Sequence, residues 1–334
     1  MKFVIDMMGG DNGLEASIPA TKELLKKYDD VEVYLVGDET KLTEFINNSR
    51  VHIVGSKTVL SMDVDPMTAL KEHDSSLMVS IKTYLDNKCD ALISAGSTGA
   101  LLSASIFKIK RLPNITRPCL ITSFPTIKDN KKFVVCDLGA NSTNTKEELN
   151  QFALMGSLYY EILYGEKSPR VYLLNNGTEE EKGNEVTKEA YQLLKENKSI
   201  NFKGNIEGRY PLYGDIDVLV ADGFTGNIFL KTVEGTAKVM SQMIKDAFKR
   251  NLLSKIGYLC SKKGIDGIKT KMDYKNVGGA LLLGVNGVVI KAHGSSDTRS
   301  FLSALDNAYK LTKVDIVSKI KKELAEWKIL KSFL

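Results

Sequence analysis

The sequence predicts an α/β fold, a three-layer α/β/α arrangement with helices on both faces of a mostly parallel sheet. Short β-branched runs alternate with longer stretches of helical periodicity along nearly the whole chain, which is the pattern of successive βα units. Most of the apolar runs end in a cluster of Gly, Asp, Ser or Asn, as strand–helix junctions do. With 334 residues, 43% hydrophobic and 26% charged, the chain has the composition of a globular protein with a sizeable core.

The strand candidates are Phe3–Asp6, Glu32–Val36, Ala91–Ser94, Cys119–Ser123, Phe133–Asp137, Arg170–Leu174 and Asp217–Ala221. Helical patterns fill Ser17–Lys27, Leu101–Arg111, Glu147–Leu163, Asn184–Glu196 and Asn227–Lys249. Two apolar runs flank Asn286-Gly287, which predicts a tight β-hairpin within 281–290. No long linker, repeat or low-complexity tract interrupts the chain. One α/β/α domain over residues 1–334 is expected, with a helical excursion over 236–276.

Composition also excludes several classes. The four cysteines are scattered without a CxxC pair, and Cys119 and Cys136 sit in apolar runs, so buried thiols in a reducing compartment are expected. The three histidines lack ligand spacing, and no metal site is expected. Met1 leads directly into a strand-like run, and the longest Gly/aliphatic stretch, 277–285, is far shorter than the ~20 residues that span a bilayer. A soluble cytoplasmic protein is expected. The net charge of +5 is modest and says little alone; where the lysines cluster matters more, and no nucleic-acid partner is expected.

The chemistry should lie beyond the carboxyl ends of the strands, where open parallel sheets bind ligands. Five strand ends, expected at one shared edge of the sheet, carry one theme: Asp6 to Asp11, Ser94 to Gly99, Asp137 to Ser142, Asp222 to Asn227 and Lys291 to Asp297. Each offers glycines, then hydroxyls or an amide, then a helix start, which favours an anion such as phosphate. No two glycines are separated by a single residue and no Gly-Lys pair occurs, so the dinucleotide fingerprint and the P-loop are both absent. No nucleotide or other cofactor is expected. Asp137 is expected to hold its glycine loop by accepting backbone N–H bonds, while Asp6, Asp11 and Asp222 could meet substrate. Lys71, Arg117, Lys231, Lys291 and His293 are the candidate cations.

These motifs, in this order, resemble the bacterial phosphate acyltransferases of phospholipid synthesis. The likeness extends through Val36–Glu39, Ala69–Lys71 with Asp74–Ser76, Leu112-Pro113 with Arg117-Pro118, Gln151–Ser157, Leu173–Gly177, Asn205–Arg209 and Gly279 to Asp297. The chain departs from the usual pattern at Ser97, where the family has Asn, and at Met7, where it has Ala. The resemblance implies a fold similar to isocitrate and isopropylmalate dehydrogenases and to phosphotransacetylases. It implies a homodimer that moves a long-chain fatty acyl group from acyl carrier protein to inorganic phosphate. The acyl-phosphate would pass to a downstream acyltransferase.

Phosphate is already anionic at neutral pH and a thiol leaves with a pKa near ~8.5, so orientation and charge stabilisation are the main demands. Asp222, Asn227, Lys231 and His293 are the candidate catalytic residues. Gly9, Gly10, Asp11, Gly96, Ser97, Thr98, Gly99, Asn141, Gly223, Thr225, Gly226 and Gly294 are candidates for binding phosphate and the thioester. The basic, amphipathic stretch from Lys245 to Lys271 would meet the acidic carrier protein or the inner face of an anionic membrane. Its candidate contacts are Lys249, Arg250, Leu252, Leu253, Ile256, Leu259, Lys262 and Lys263, and packing at a dimer interface is the alternative use of the same segment. The final amphipathic stretch, with Ile316, Ile320, Leu324 and Trp327, is expected to pack on the body. Rival readings are a phosphotransacetylase acting on short acyl-CoA, a metal-dependent dehydrogenase and a non-catalytic membrane scaffold.

Overall fold

The computed structural model describes residues 1–272 and 278–332, with side chains described as far as residue 267 and again from 278 to 326. In chain order the elements are β1 (Lys2–Asp6), α1 (Gly13–Lys27), β2 (Glu32–Gly37), β3 (Val51–Gly55), α2 (Pro66–Ala69), α3 (Ser76–Asp86), β4 (Ala91–Ser94) and α4 (Thr98–Ala104). There follow β5 (Cys119–Pro125), β6 (Lys132–Cys136), α5 (Lys146–Tyr164), β7 (Arg170–Asn175), α6 (Glu185–Glu196), β8 (Asn201–Glu207) and β9 (Val218–Val220). The chain continues through α7 (Gly223–Lys249), α8 (Leu252–Met272), β10 (Ala280–Leu283), β11 (Val288–Lys291), α9 (Thr298–Lys313) and α10 (Ile316–Ser332).

The strands form one sheet in the order β3-β2-β1-β4-β11-β10-β5-β6-β9-β7-β8. Pairs are parallel on both flanks, whereas β11–β10, β10–β5 and β5–β6 are antiparallel. The flank β3 to β11 therefore runs opposite to the flank β6 to β8. The strand ends that the sequence analysis placed on one shared edge point to opposite edges of the sheet.

Both faces are covered, so successive residues of one strand serve two cores. Phe3 and Ile5 pack with α1, α5, α9 and α10 on one face, and Val4 packs with α3, α4 and α7 on the other. Ile316, Ile320 and Leu324 of α10 are buried, so that stretch packs on the body; the side chain of Trp327 lies outside the described residues. Cys119 and Cys136 are buried free thiols.

The hairpin β10–β11 forms, but with a four-residue loop at 284–287, because the register pairs Leu281 with Ile290 and Ala280 with Lys291. The turn-forming positive φ (+103°) belongs to Gly284, not to the Asn-Gly pair. Strands β3 and β8 and helices α3 and α9 have no counterpart in the sequence reading. The two strands lie at the edges of the sheet, and only partial burial marks β3.

One buried carboxylate ties the far flank together. Asp217, just before β9, accepts from Arg170 N (2.8 Å), Nε (2.9 Å) and Nη2 (3.1 Å), and pairs with Lys131 at 2.8 Å. Burial alone would raise its pKa; Arg170 and Lys131 outweigh burial and hold it at about 2. Because the folded-state pKa is depressed, this stabilisation is complete above the unfolded value and is lost as pH falls through about 2. Asp217→Asn should cost about 2–3 kcal/mol in urea unfolding at pH 7, and the gap from the parent should close as pH approaches 2. An equal gap at both pH values would contradict this.

Candidate active site

A cavity of about 560 Å³ opens on the face that carries α4 and α7, above the antiparallel strands β5 and β10. Helix α7 joins the two opposed flanks. It starts beside the loop after β6 and runs across until Lys231, two turns along, reaches His293 beyond β11 at 2.9 Å. The strand ends converge over a face of the sheet, although they do not share an edge.

Asp11, Thr98, Asn227, Lys231, His293 and Gly294 of the predicted set line this cavity. Lys291, Gly139 and Ser295 fell within the strand-end turns of the sequence analysis, Lys291 as a candidate cation, but were not singled out as phosphate or catalytic residues, and Glu234 was not named; all four also line it. Leu120, Leu138 and Leu230 give the cavity an apolar wall.

The other candidates hold the loops that shape it. Asn141 Nδ2 donates to Pro118 O (2.9 Å) and to Asp137 Oδ2 (2.8 Å). Asp222 caps α7, accepting from Thr225 N at 2.9 Å and Thr225 Oγ1 at 2.6 Å. Ser97 caps α4 through Ala100 N. Gly9 packs against Gly96, and Gly10, at φ +87°, lies against the Gly294 carbonyl, which accepts from Asp11 N at 2.8 Å. Gly99 packs against the Pro66 ring. Gly223 and Gly226 let the first turn of α7 touch the loop after β6; a methyl on either would overlap the carbonyl oxygen of Asn141 or Asp137 respectively.

Many amides of these turns are spent inside the protein. Met8 and Gly9 donate to Asp6, Gly96 to Ser94 Oγ, and Gly139, Ala140 and Asn141 to Asp137. Gly223 N donates to Asn144 Oδ1 and Ser300 N to Asp297 Oδ1. Asp137 thus plays the loop-holding part expected of it, and burial raises its pKa. Asp6 is likewise buried, with its pKa raised by burial, and accepts from Ser94 Oγ at 2.7 Å.

Positive charge in the cavity therefore comes from side chains. Lys231 Nζ lies 3.1 Å from Glu234 Oε2 and 2.9 Å from His293 Nε2. His293 Nδ1 faces Ser295 N at 3.2 Å and Ser295 Oγ at 2.9 Å. Burial and then the Lys231 charge push the His293 pKa down, which favours the neutral imidazole. Lys291 is 8% exposed, and burial pulls its pKa down to about 8.

Away from the cavity, α7 and α8 run as a helical pair, with Phe248 against Tyr258. At the turn Leu252 and Leu253 are 74% and 78% exposed, and Ile256 and Leu259 are exposed as well. Lys249 and Arg250 just before the turn, and Lys262 and Lys263 further along α8, are exposed. Of the excursion predicted over 236–276, residues 273–276 lie outside the described residues, as do the side chains of Lys269 and Lys271. Among the described residues no helix is long and apolar enough to cross a membrane.

The architecture is that of a known class of α/β/α enzymes. A phosphotransacetylase from Streptococcus pyogenes superposes with a TM-score of 0.62 at 15% identity, covering 95% of this chain and 94% of that one. An isocitrate dehydrogenase from Methylococcus capsulatus gives 0.51 at 10% identity, covering 96% and 87%. The fold is thus the class that the sequence predicted. A family model described as "Fatty acid synthesis protein" matches residues 1–319, and a phosphate acyltransferase from an Exiguobacterium species is 44% identical over 329 residues, 97% of this chain and 99% of the relative. The chain belongs to this family and to its phosphate acyltransferases.

Two glycines of α7, one in close backbone contact and one not, give a direct check on the site's construction. Gly226→Ala should lower stability by several kcal/mol or prevent folding, because the added methyl would overlap the Asp137 carbonyl oxygen, a backbone atom that only a main-chain shift can displace. Gly235→Ala on the same helix, which meets open space, should be neutral or slightly stabilising in thermal unfolding.

Proposed function

We propose that this chain moves a long-chain fatty acyl group from acyl carrier protein to inorganic phosphate, giving acyl-phosphate for phospholipid synthesis. The observation that carries the reading is the cavity itself, where Lys231, His293 and Lys291 meet Asn227 beside an apolar wall. The two lysines suit a phosphate dianion, and Leu120, Leu138 and Leu230 suit the first methylenes of an acyl chain. The name of the Exiguobacterium relative supports the same chemistry.

Phosphate docks against Lys231, which Glu234 orients from the next turn of α7. Asn227, one turn before Lys231, offers its amide to the thioester carbonyl and to the oxyanion that develops as phosphate attacks. His293, held neutral, fixes the end of the Lys231 chain. Asp11 and Thr98 also line the cavity.

The exposed leucines at the α7–α8 turn form an apolar tip within a basic rim, suited to shallow insertion into an anionic membrane. Each buried leucine contributes about 1.5–3 kcal/mol and each nearby lysine about 1 kcal/mol, enough together for reversible attachment. The same basic rim suits an acidic carrier protein. A homodimer, delivering its product to a membrane acyltransferase, completes the reading.

Asn227→Ala and Lys231→Ala should each slow acyl-phosphate formation by about 100–1000-fold, as measured by hydroxylamine trapping. Lys231→Ala should also raise the phosphate concentration needed for half-maximal rate. Full turnover in both variants would remove this assignment. In liposome flotation with anionic lipid, Leu252→Glu/Leu253→Glu should lose most membrane binding while keeping its rate on soluble thioester. Unchanged flotation would exclude the tip.

A further inference from the structure

Lys291 is the least expected group in the cavity. It lies at the end of β11 with its side chain on the cavity face, and is almost fully buried. Its Nζ donates to Ala95 O at 3.2 Å and to Ala292 O, both backbone carbonyls. Among the described residues it makes no ion pair. A lysine has three N–H donors, so one remains for the cavity. The charged or titratable groups facing it are Lys231 from α7, Asp11 and Asp6 from the β1 end, and His293 in its own loop. Glu234, the cavity's other carboxylate, is engaged by Lys231. A buried ammonium placed beside another cation and held only by neutral carbonyls is poorly compensated, and is suited to an anion and to losing its proton.

The proposed reaction requires a proton to move. Hydrogen phosphate dianion attacks the thioester carbonyl; an O–C bond forms, the C–S bond breaks, and the sulfur leaves with the bonding pair. The products are acyl-phosphate dianion and a neutral thiol, so the proton on phosphate must end on sulfur. On this reading of the function, we propose that Lys291 is the proton-transfer residue, giving a proton to the departing sulfur and recovering one from the phosphate. Lys291 ends as it began, and atoms and charge balance without a further reactant. A group that titrates near its partners is the most effective relay, and the pKa of about 8 lies close to the ~8.5 of a thiol. Lys231, exposed and paired with Glu234, is left to bind phosphate.

The test compares leaving groups. The full chain, Lys291→Met and Lys291→Arg are assayed for acyl-phosphate formation with one long-chain acyl group carried on an alkyl thiol or on an acidic aryl thiol. Both variants should lose about 100-fold or more on the alkyl thioester, the usual contribution of general acid–base catalysis, and less than about 10-fold on the aryl thioester. Lys291→Arg, which keeps charge but cannot give up its proton, should retain the phosphate dependence of the parent. Equal losses on both thioesters, or undiminished alkyl turnover, would overturn the proposal. Should neither variant fold, the parent decides: its alkyl turnover should fall above about pH 8 while its aryl turnover does not, and parallel pH profiles would overturn the proposal. A parent that makes no acyl-phosphate from either thioester would instead refute the function on which the inference rests.

Discussion

The antiparallel strands at the centre of the sheet govern everything else in this molecule. Because β10 and β5 reverse the strand direction, the two parallel flanks present their carboxyl ends to opposite edges. A site built in the manner of a simple doubly wound sheet would be split in two. Helix α7 resolves this by starting at one flank and ending its second turn at the other, where Lys231 meets His293. That crossing depends on close backbone contact between the first turn of α7 and the loop after β6, which glycines at 223 and 226 permit. The cavity is thus a consequence of sheet topology, and its cations are where the two flanks meet.

Electrostatics follow from the same geometry. The loops around the cavity bury two carboxylates, Asp6 and Asp137, and satisfy them with the amides that could otherwise have cradled an anion. Burying those carboxylates raises their pKa values, and the amide bonds offset part of that desolvation. With those amides committed to holding shape, the proposed recognition of phosphate rests chiefly on side chains. Burial and then the Lys231 charge disfavour protonation of both Lys291 and His293, so an anion arriving beside Lys231 would ease that pressure.

Much of this was legible in the sequence. The central strands were found within a residue or two, since runs such as Phe3–Asp6 and Ala91–Ser94 are apolar on both faces and end in turn residues. The edge strands were not, because Val51–Gly55 mixes exposed and partly buried positions and lacks a clean period. The glycine turns were correctly located, but their use was not readable. Ser97, Asp222 and Asp297 as helix caps carry the same residue types as phosphate ligands would, and only geometry separates the two. Lys291 was visible as a lysine following an apolar strand, yet its burial among carbonyls depends on Ala95, nearly two hundred positions away. Strand direction was the largest gap: the β10–β11 hairpin was evident, but that β5 pairs with it in reverse is a long-range fact.

The account stands on one tetrahedral anion being held where the two flanks meet. A crystal structure of the full chain soaked in phosphate tests this most directly. It should place the phosphate inside the cavity, within hydrogen-bond distance of Lys231 and Lys291 and beside Asn227. Phosphate bound at a glycine turn outside that cavity, with both lysines untouched, would contradict the account.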